Sequence, residues 1–389
     1  MENKKKYASI YSYGFFIFGF NALILGSVLP AIEMIFNISH GQAGILLTAN
    51  PIGFMIGTVV CTVIASVRGP FKISTVSMGV ATLGILGIVL SNGLILLYVS
   101  LSVMGFGLAM FETATGISVS YINYKNTGSV LNLMHSFYAL GAIISPFIIS
   151  IFIADINTWW YAYVISLVSF VLFLFISIPI YKIPYEDGKK GKKDKDKFYA
   201  LSESSFWIII ISVILYVGSE IGFSSWAATY IFEVKKASIS LSAIFPALLW
   251  GGLYVGRLLS GFLVEKVGYV NILIFMNLLS FLSFLLVLIL NNLVFISIGV
   301  FLVGLGFATI FPTLQALLIR RVRKGVSFAI GTFTFAASLG SIITNYLVGF
   351  IGEKFGLQYG IAFIFMFIAG LLGLSLLLKK DERKYVREV

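Results

Sequence analysis

The chain has 389 residues, 59% hydrophobic and only 11% charged, with a formal net charge of +11 and a mean hydropathy of +1.01. Soluble domains carry roughly a quarter charged residues, so this composition excludes a water-soluble globular enzyme or binding module. The positive charge lies between apolar runs rather than on one face, which argues against a nucleic-acid partner.

Crossing a bilayer takes about 20 apolar residues per helix. Runs of that kind fall at 8–33, 42–66, 73–91, 94–122, 129–154, 159–181, 206–231, 241–264, 270–290, 293–319, 326–350 and 358–378. They are continuously apolar rather than alternating, which predicts an all-α, polytopic membrane protein of twelve helices and not a barrel. "MENKKK" leads into a first run too long for a signal peptide and without a small-x-small cleavage site, so it is read as a retained helix. The single cysteine, Cys61, lies inside the second run, which precludes an intramolecular disulfide.

With the N-terminus in the cytoplasm, 23 of the 27 lysines and arginines fall on cytoplasmic segments. Only Lys235, Lys236 and Lys354 fall outside, and Arg257 is within a run. That asymmetry places both termini in the cytoplasm. The longest polar segment, residues 183–204, is a basic linker between an N-terminal six-helix bundle, 1–182, and a C-terminal one, 205–389.

The two halves are related by one shift of 199 residues. It places Gly19 on Gly218, Gly53 on Gly252, Gly57 on Gly256, Gly69 on Gly268, Gly105 on Gly304, Gly107 on Gly306, and "LGAII" on "LGSII". Six helices per half give both halves the same membrane orientation. This parallel two-bundle plan is that of the major facilitator transporters, in which substrate is bound between the halves. Small residues four apart let lipid-embedded helices approach closely, the expected role of these glycines.

Two carboxylates, Glu112 and Glu220, lie well inside runs, where an acid normally faces a cavity or a partner and marks a proton or substrate path. A packing hydrogen bond from a neutral acid is the alternative. The shift puts Glu220 on Asn21, so the first helix of each half carries a polar side chain at the same level. At 1.5 Å rise per residue, Glu112 sits about 15 Å and Tyr138 about 13 Å from the cytoplasmic ends of their helices. Asn132, His135 and Tyr138, spaced i, i+3, i+6, form a polar stripe on the fifth helix. Gln315 and Asn345 complete the set of expected substrate contacts. Arg257 requires an acceptor or a snorkelling route, with Glu265 and Glu112 as candidate acceptors, and is expected to have a structural or gating role.

"GFGLAMFETATG" (105–116) and "LNLMHSFYALGA" (131–142) resemble the fourth- and fifth-helix motifs of the fucose permease family of sugar–proton symporters. "YVGSEIGFSSW" (216–226), "WGGLYVGR" (250–257) and "GLGFATIFPT" (304–313) are similar to its seventh, eighth and tenth helices, especially in the branch of sodium-dependent glucose carriers. The resemblance implies that Glu112 responds to sugar, that His135 and Tyr138 face it, and that Trp226 offers a stacking surface. The chain departs from the family on the first helix, where Gly26 stands at the position of fucose permease's second acid. The superfamily loop motif G-x-x-x-D-R-x-G is lost in "TVIASVRG" and altered in "GFLVEKVG", where Glu265 and Lys266 are expected to take part in gating. "GFIGEKFG" (349–356) copies that pattern and is expected to be only a turn.

The function these features predict is a proton-coupled importer of a hexose or deoxyhexose, monomeric in the cell membrane and without a cofactor or metal. Sodium coupling and proton-driven efflux of lipophilic drugs are the alternatives. A non-transporting sensor on the same fold is a third reading, since fold alone does not fix function. No enzyme motif is found: the two histidines, His40 and His135, lie in or beside apolar runs, and the glycines of 105–116 follow no strand.

Overall fold

A computed structural model describes residues 2–122, 127–184, 199–322 and 326–388; the side chains of 2–5, 62–63, 65–67, 120–132, 260–265, 326–327 and 381–388 fall outside that description. Among the described residues there are only helices and turns. Twelve helices among the described residues are long and apolar enough to cross a membrane: α1 Lys6–Phe36, α2 His40–Cys61, α3 Pro70–Val89, α4 Leu94–Val119, α5 Leu133–Phe152, α6 Ile156–Ile176, α7 Ser204–Glu233, α8 Ile239–Leu259, α9 Tyr269–Ile289, α10 Leu293–Arg321, α11 Phe328–Phe355 and α12 Leu357–Lys380. In hydrocarbon every backbone N–H and C=O must be satisfied by the protein itself, and these continuously apolar segments do so as helices. The protein is therefore a multi-pass membrane protein. Apolar side chains on its outside, such as Ile95 at 84% and Ile151 at 80% exposure, would be anomalous in water and are ordinary against lipid.

The chain divides into two units. One comprises Met1–Ile38, Ile45–Gly191 and Ile239–Ala247; the other comprises Ser39–Gly44, Lys192–Ser238 and Leu248–Val389. Within each, the glycines matched by the 199-residue shift make equivalent close approaches. A Cβ on Gly53 would fall on the carbonyl oxygen of Ser102, and one on Gly252 would fall on that of Phe301, the residue 199 positions later. Gly105 against Asn50 and Gly304 against Leu249 repeat the relation from the opposite helix. These contacts bring α2 onto α4 and α8 onto α10 at backbone distance. Gly69 and Gly268, equally matched, cap α3 and α9 with φ of 85° and 83°, a positive-φ conformation that glycine alone adopts without strain.

One local feature differs from the sequence reading. Of residues 349–356, expected to form only a turn, 349–355 are instead carried on a helix that runs unbroken from Val326 to Phe355. Nothing before Gly356 breaks it, and the Lys354 ammonium lies 4.4 Å from the centre of the Phe350 ring one turn back; the reversal waits for Gly356 at φ 102°. At the far end of α9, Lys235 Nζ donates to the carbonyl oxygens of Leu288 (3.1 Å) and Leu290 (2.6 Å), placing a cation on that helix's C-terminal carbonyls.

Candidate functional site

The polar groups predicted for function divide between the two units, and each set has its own geometry.

In the first unit, α1 lies against α5 because Gly19 and Gly141 remove the side chains between them: a Cβ at Gly19 would meet the Tyr138 carbonyl, and one at Gly141 the Phe16 carbonyl. That closeness lets two aromatic residues of α1, one turn apart, meet the predicted polar stripe of α5. Phe15 packs edge-on to the His135 ring at 5.1 Å, and Phe18 edge-on to the Tyr138 ring at 4.8 Å. His135 is exposed and Tyr138 half-buried. Asn132, the third member of the stripe, has its side chain outside the described residues.

Glu112 is half-buried on α4 and makes no hydrogen bond or ion pair among the described residues. Its neighbour Phe111 is fully buried against Phe15 and Phe173 and fixes the rotation of the helix there. Asn21 is only 2% exposed; its amide donates to Ser166 Oγ on α6 and to the Ile17 carbonyl, while its own Oδ1 is buried without a partner. In this conformation its amide faces the interior of the unit.

In the second unit, α7 carries Tyr216, Glu220 and Ser224 at i, i+4 and i+8, hence on one face. Opposite them, α8 presents Trp250 and Arg257, two turns apart on its own face. Arg257 Nη2 lies 3.8 Å from Glu220 Oε1, and its guanidinium carbon 5.9 Å from the centre of the Trp250 ring. Trp250 Nε1 in turn donates to Ser224 Oγ at 3.0 Å. The arginine is thus held between a carboxylate and an indole whose orientation is itself fixed by a hydrogen bond. Glu220 is nearly buried, with 8% of its side chain exposed against 34% for Arg257, so the exposed part of the pair is mainly the arginine. One turn before Glu220, Tyr216 is fully buried against Phe307 and Phe311 of α10.

Glu220 is a partner for Arg257 that the sequence reading does not name, its candidates being Glu265 and Glu112. Glu265 has its side chain outside the described residues, and Lys266 is exposed. Trp226, expected to stack on a ligand, is fully buried, its ring edge-on to His40 at 6.1 Å, with Nε1 lacking a hydrogen bond. It offers no free face in this conformation. His40 Nε2 also lies 3.1 Å from Glu233 at the end of α7. Gln315 is half-buried on α10, and Asn345 is buried on α11 with Oδ1 lacking a hydrogen bond. The sequence reading misses Tyr216, Ser224 and Trp250 as members of the constellation. The signal lies in their spacing, one or two helical turns from Glu220 and Arg257 within motifs already singled out.

The bilayer-spanning chain thus carries an acid–arginine–indole cluster in one half and an acid, a histidine and a tyrosine in the other. The chain is 23% identical over 351 residues to the "Glucose/mannose transporter GlcP" of Bacillus subtilis (strain 168), covering 86% of this chain and 85% of that one. Among solved structures, a mutant of the nucleoside transporter NupG superposes with a TM-score of 0.82 at 12% identity, over 96% of this chain and 98% of that one. The outward conformation of FucP, a Major Facilitator Superfamily transporter, superposes with a TM-score of 0.64 at 16% identity, over 95% and 98% of the two chains. The resemblance drawn from the motifs, to fucose permease and glucose carriers, is therefore matched in both sequence and fold. The family description that fits residues 11–325 and 245–388 is that of the Major Facilitator Superfamily, and the protein belongs to that family of transporters rather than to any enzyme class.

Proposed function

We propose that the protein is a secondary active transporter that carries a monosaccharide together with a proton by alternating access, as a monomer in the cell membrane with both termini in the cytoplasm. The observation that carries this reading is Glu220, an almost buried carboxylate inside a lipid-spanning helix, set 3.8 Å from Arg257. An acid in that position is costly to insert and is normally kept for coupling or cargo. Protonating Glu220 would release Arg257 from its carboxylate and leave a neutral acid able to donate to a sugar hydroxyl. A ligand shifts a conformational equilibrium only by its differential affinity, so coupling follows if sugar binds tighter to the protonated state. Glu112, half-buried and without a hydrogen bond or ion pair among the described residues, is the second candidate carrier; His135 and Tyr138 are the matching sugar contacts. The likeness over most of both chains to a protein named as a glucose/mannose transporter supports the substrate class. Arg257 and Lys266 are assigned to gating, with Glu265.

Proteoliposomes test this. Glucose or mannose added outside should be taken up and should alkalinise the exterior, and Glu220→Gln should keep sugar exchange while losing uptake driven by a pH gradient. Uptake that follows a sodium gradient and ignores pH would replace the proton with sodium. Ethidium extrusion without any sugar transport would refute the sugar reading altogether.

A further inference from the structure

Away from these residues, the first unit has a cavity of about 330 Å³ at the end of its spans, within the roughly 300–1,000 Å³ typical of small-ligand sites. It is lined by Arg68, Gly69, Phe71, Lys72, Tyr181 and Lys182 among others, and among the described residues no carboxylate lines it. Three chain segments meet there. The helix containing α2 ends at Arg68; α3 begins at Pro70 behind a glycine cap with no side-chain hydrogen bond; and the short helix Ile178–Tyr181 follows α6. Arg68, Lys72 and Lys182 are all exposed, and the Lys72 ammonium lies 6.0 Å from the centre of the Tyr181 ring. Phe71, fully buried, forms an apolar wall.

Three like charges around one cavity repel each other unless an anion is present. Fold geometry does not demand them: the shift of 199 residues places Val267, Asn271 and Asp381 at the equivalent positions of the second half, whereas the capping glycine is kept in both. The first turn of α3 adds the positive end of a helix to the same wall. Depth decides the kind of anion. The cavity lies where α3 begins and just beyond the end of α6, the level of lipid headgroups, on the side to which the distribution of lysine and arginine assigns the cytoplasm. Phe175 and Ile178, 67% and 45% exposed, precede Tyr181 by about two turns and one turn and provide apolar surface for acyl chains.

We propose that this cavity binds the phosphate of an anionic phospholipid of the cytoplasmic leaflet, with Arg68, Lys72 and Lys182 as its ligands and Tyr181 as the aromatic flank. The site is separate from the transport residues and does not depend on the substrate reading.

Native mass spectrometry of the full chain in detergent, titrated with dioleoylphosphatidylglycerol or dioleoylphosphatidylcholine, tests it. The wild type should prefer phosphatidylglycerol. Arg68→Gln, Lys72→Gln and Lys182→Gln together should weaken that lipid on the order of a hundredfold, about fivefold for each cation, and leave phosphatidylcholine unchanged. Equal binding of the two lipids by the wild type, or undiminished phosphatidylglycerol binding by the triple variant, overturns the proposal. Inorganic phosphate at millimolar concentration should not displace the lipid; if it does so and binds alone, the site is one for soluble phosphate and the lipid assignment is wrong. Should the triple variant fail to fold, Lys182→Gln alone, at an exposed position, should still lose about fivefold, and unchanged affinity would again overturn it.

Discussion

Replacing Glu220 by glutamine removes a charge from the Arg257 pair while conserving shape. At the observed 3.8 Å, two unit charges attract by about 4 kcal/mol at an effective dielectric constant near 20 and by about 1 kcal/mol in water. Arg257 is a third exposed, so screening moves the net value toward the lower figure, and a coupling of about 1–2 kcal/mol is expected. The measurement is a double-mutant cycle. Wild type, Glu220→Gln, Arg257→Gln and the double variant are unfolded in mixed micelles by a denaturing detergent, and the double variant should lose less stability than the two singles combined. Since sites without a shared contact are additive to about 0.3–0.5 kcal/mol, a coupling below that range would show that the two side chains do not form an ion pair, and the proposed role of Glu220 would fall with it.

Gly53→Ala and Gly252→Ala, which would each drive a Cβ onto a backbone carbonyl, should cost about 1–3 kcal/mol in either half. Gly116→Ala, with nothing within 4 Å of the added Cβ, should instead gain about 0.5–1 kcal/mol; thermal scans of the three variants with wild type decide the matter. Lys235→Met should destabilise by about 1 kcal/mol through loss of its bonds to the Leu288 and Leu290 carbonyls. Burial also holds the Lys235 ammonium below the ordinary lysine pKa, so the unfolded chain binds more protons just below that ordinary value. Wild-type stability should therefore rise slightly with pH across that window, and the methionine variant should lack the rise. Trp250→Phe should leave Ser224 without its donor and cost about 1 kcal/mol in the same unfolding assay, with Arg257 still able to lie over the smaller ring.

Much of the architecture is legible in the amino-acid order because lipid permits so few solutions. A run of about 20 apolar residues in a bilayer becomes a helix, and a close approach of two helix backbones calls for a small residue, here glycine, at the contact. Gly53 and Gly252, or Gly69 and Gly268, can therefore be paired by counting alone, and their contacts and dihedral angles agree. The presence of Glu112 and Glu220 within spans is equally plain, since an acid in an apolar run stands out whatever the fold.

Partnerships are not legible in the same way. Helical spacing tells which residues share a face, but not how far that face is rotated, nor which side chain of another helix lies level with it. Arg257 can therefore be seen to need an acceptor without Glu220 being chosen, and Trp226 can be taken for a ligand surface when its ring is packed shut beside His40. Helix count and the internal repeat follow from local chemistry repeated along the chain. The neighbours of a buried charge depend on the rotation and depth at which helices far apart in sequence pack together, and that only the tertiary structure decides.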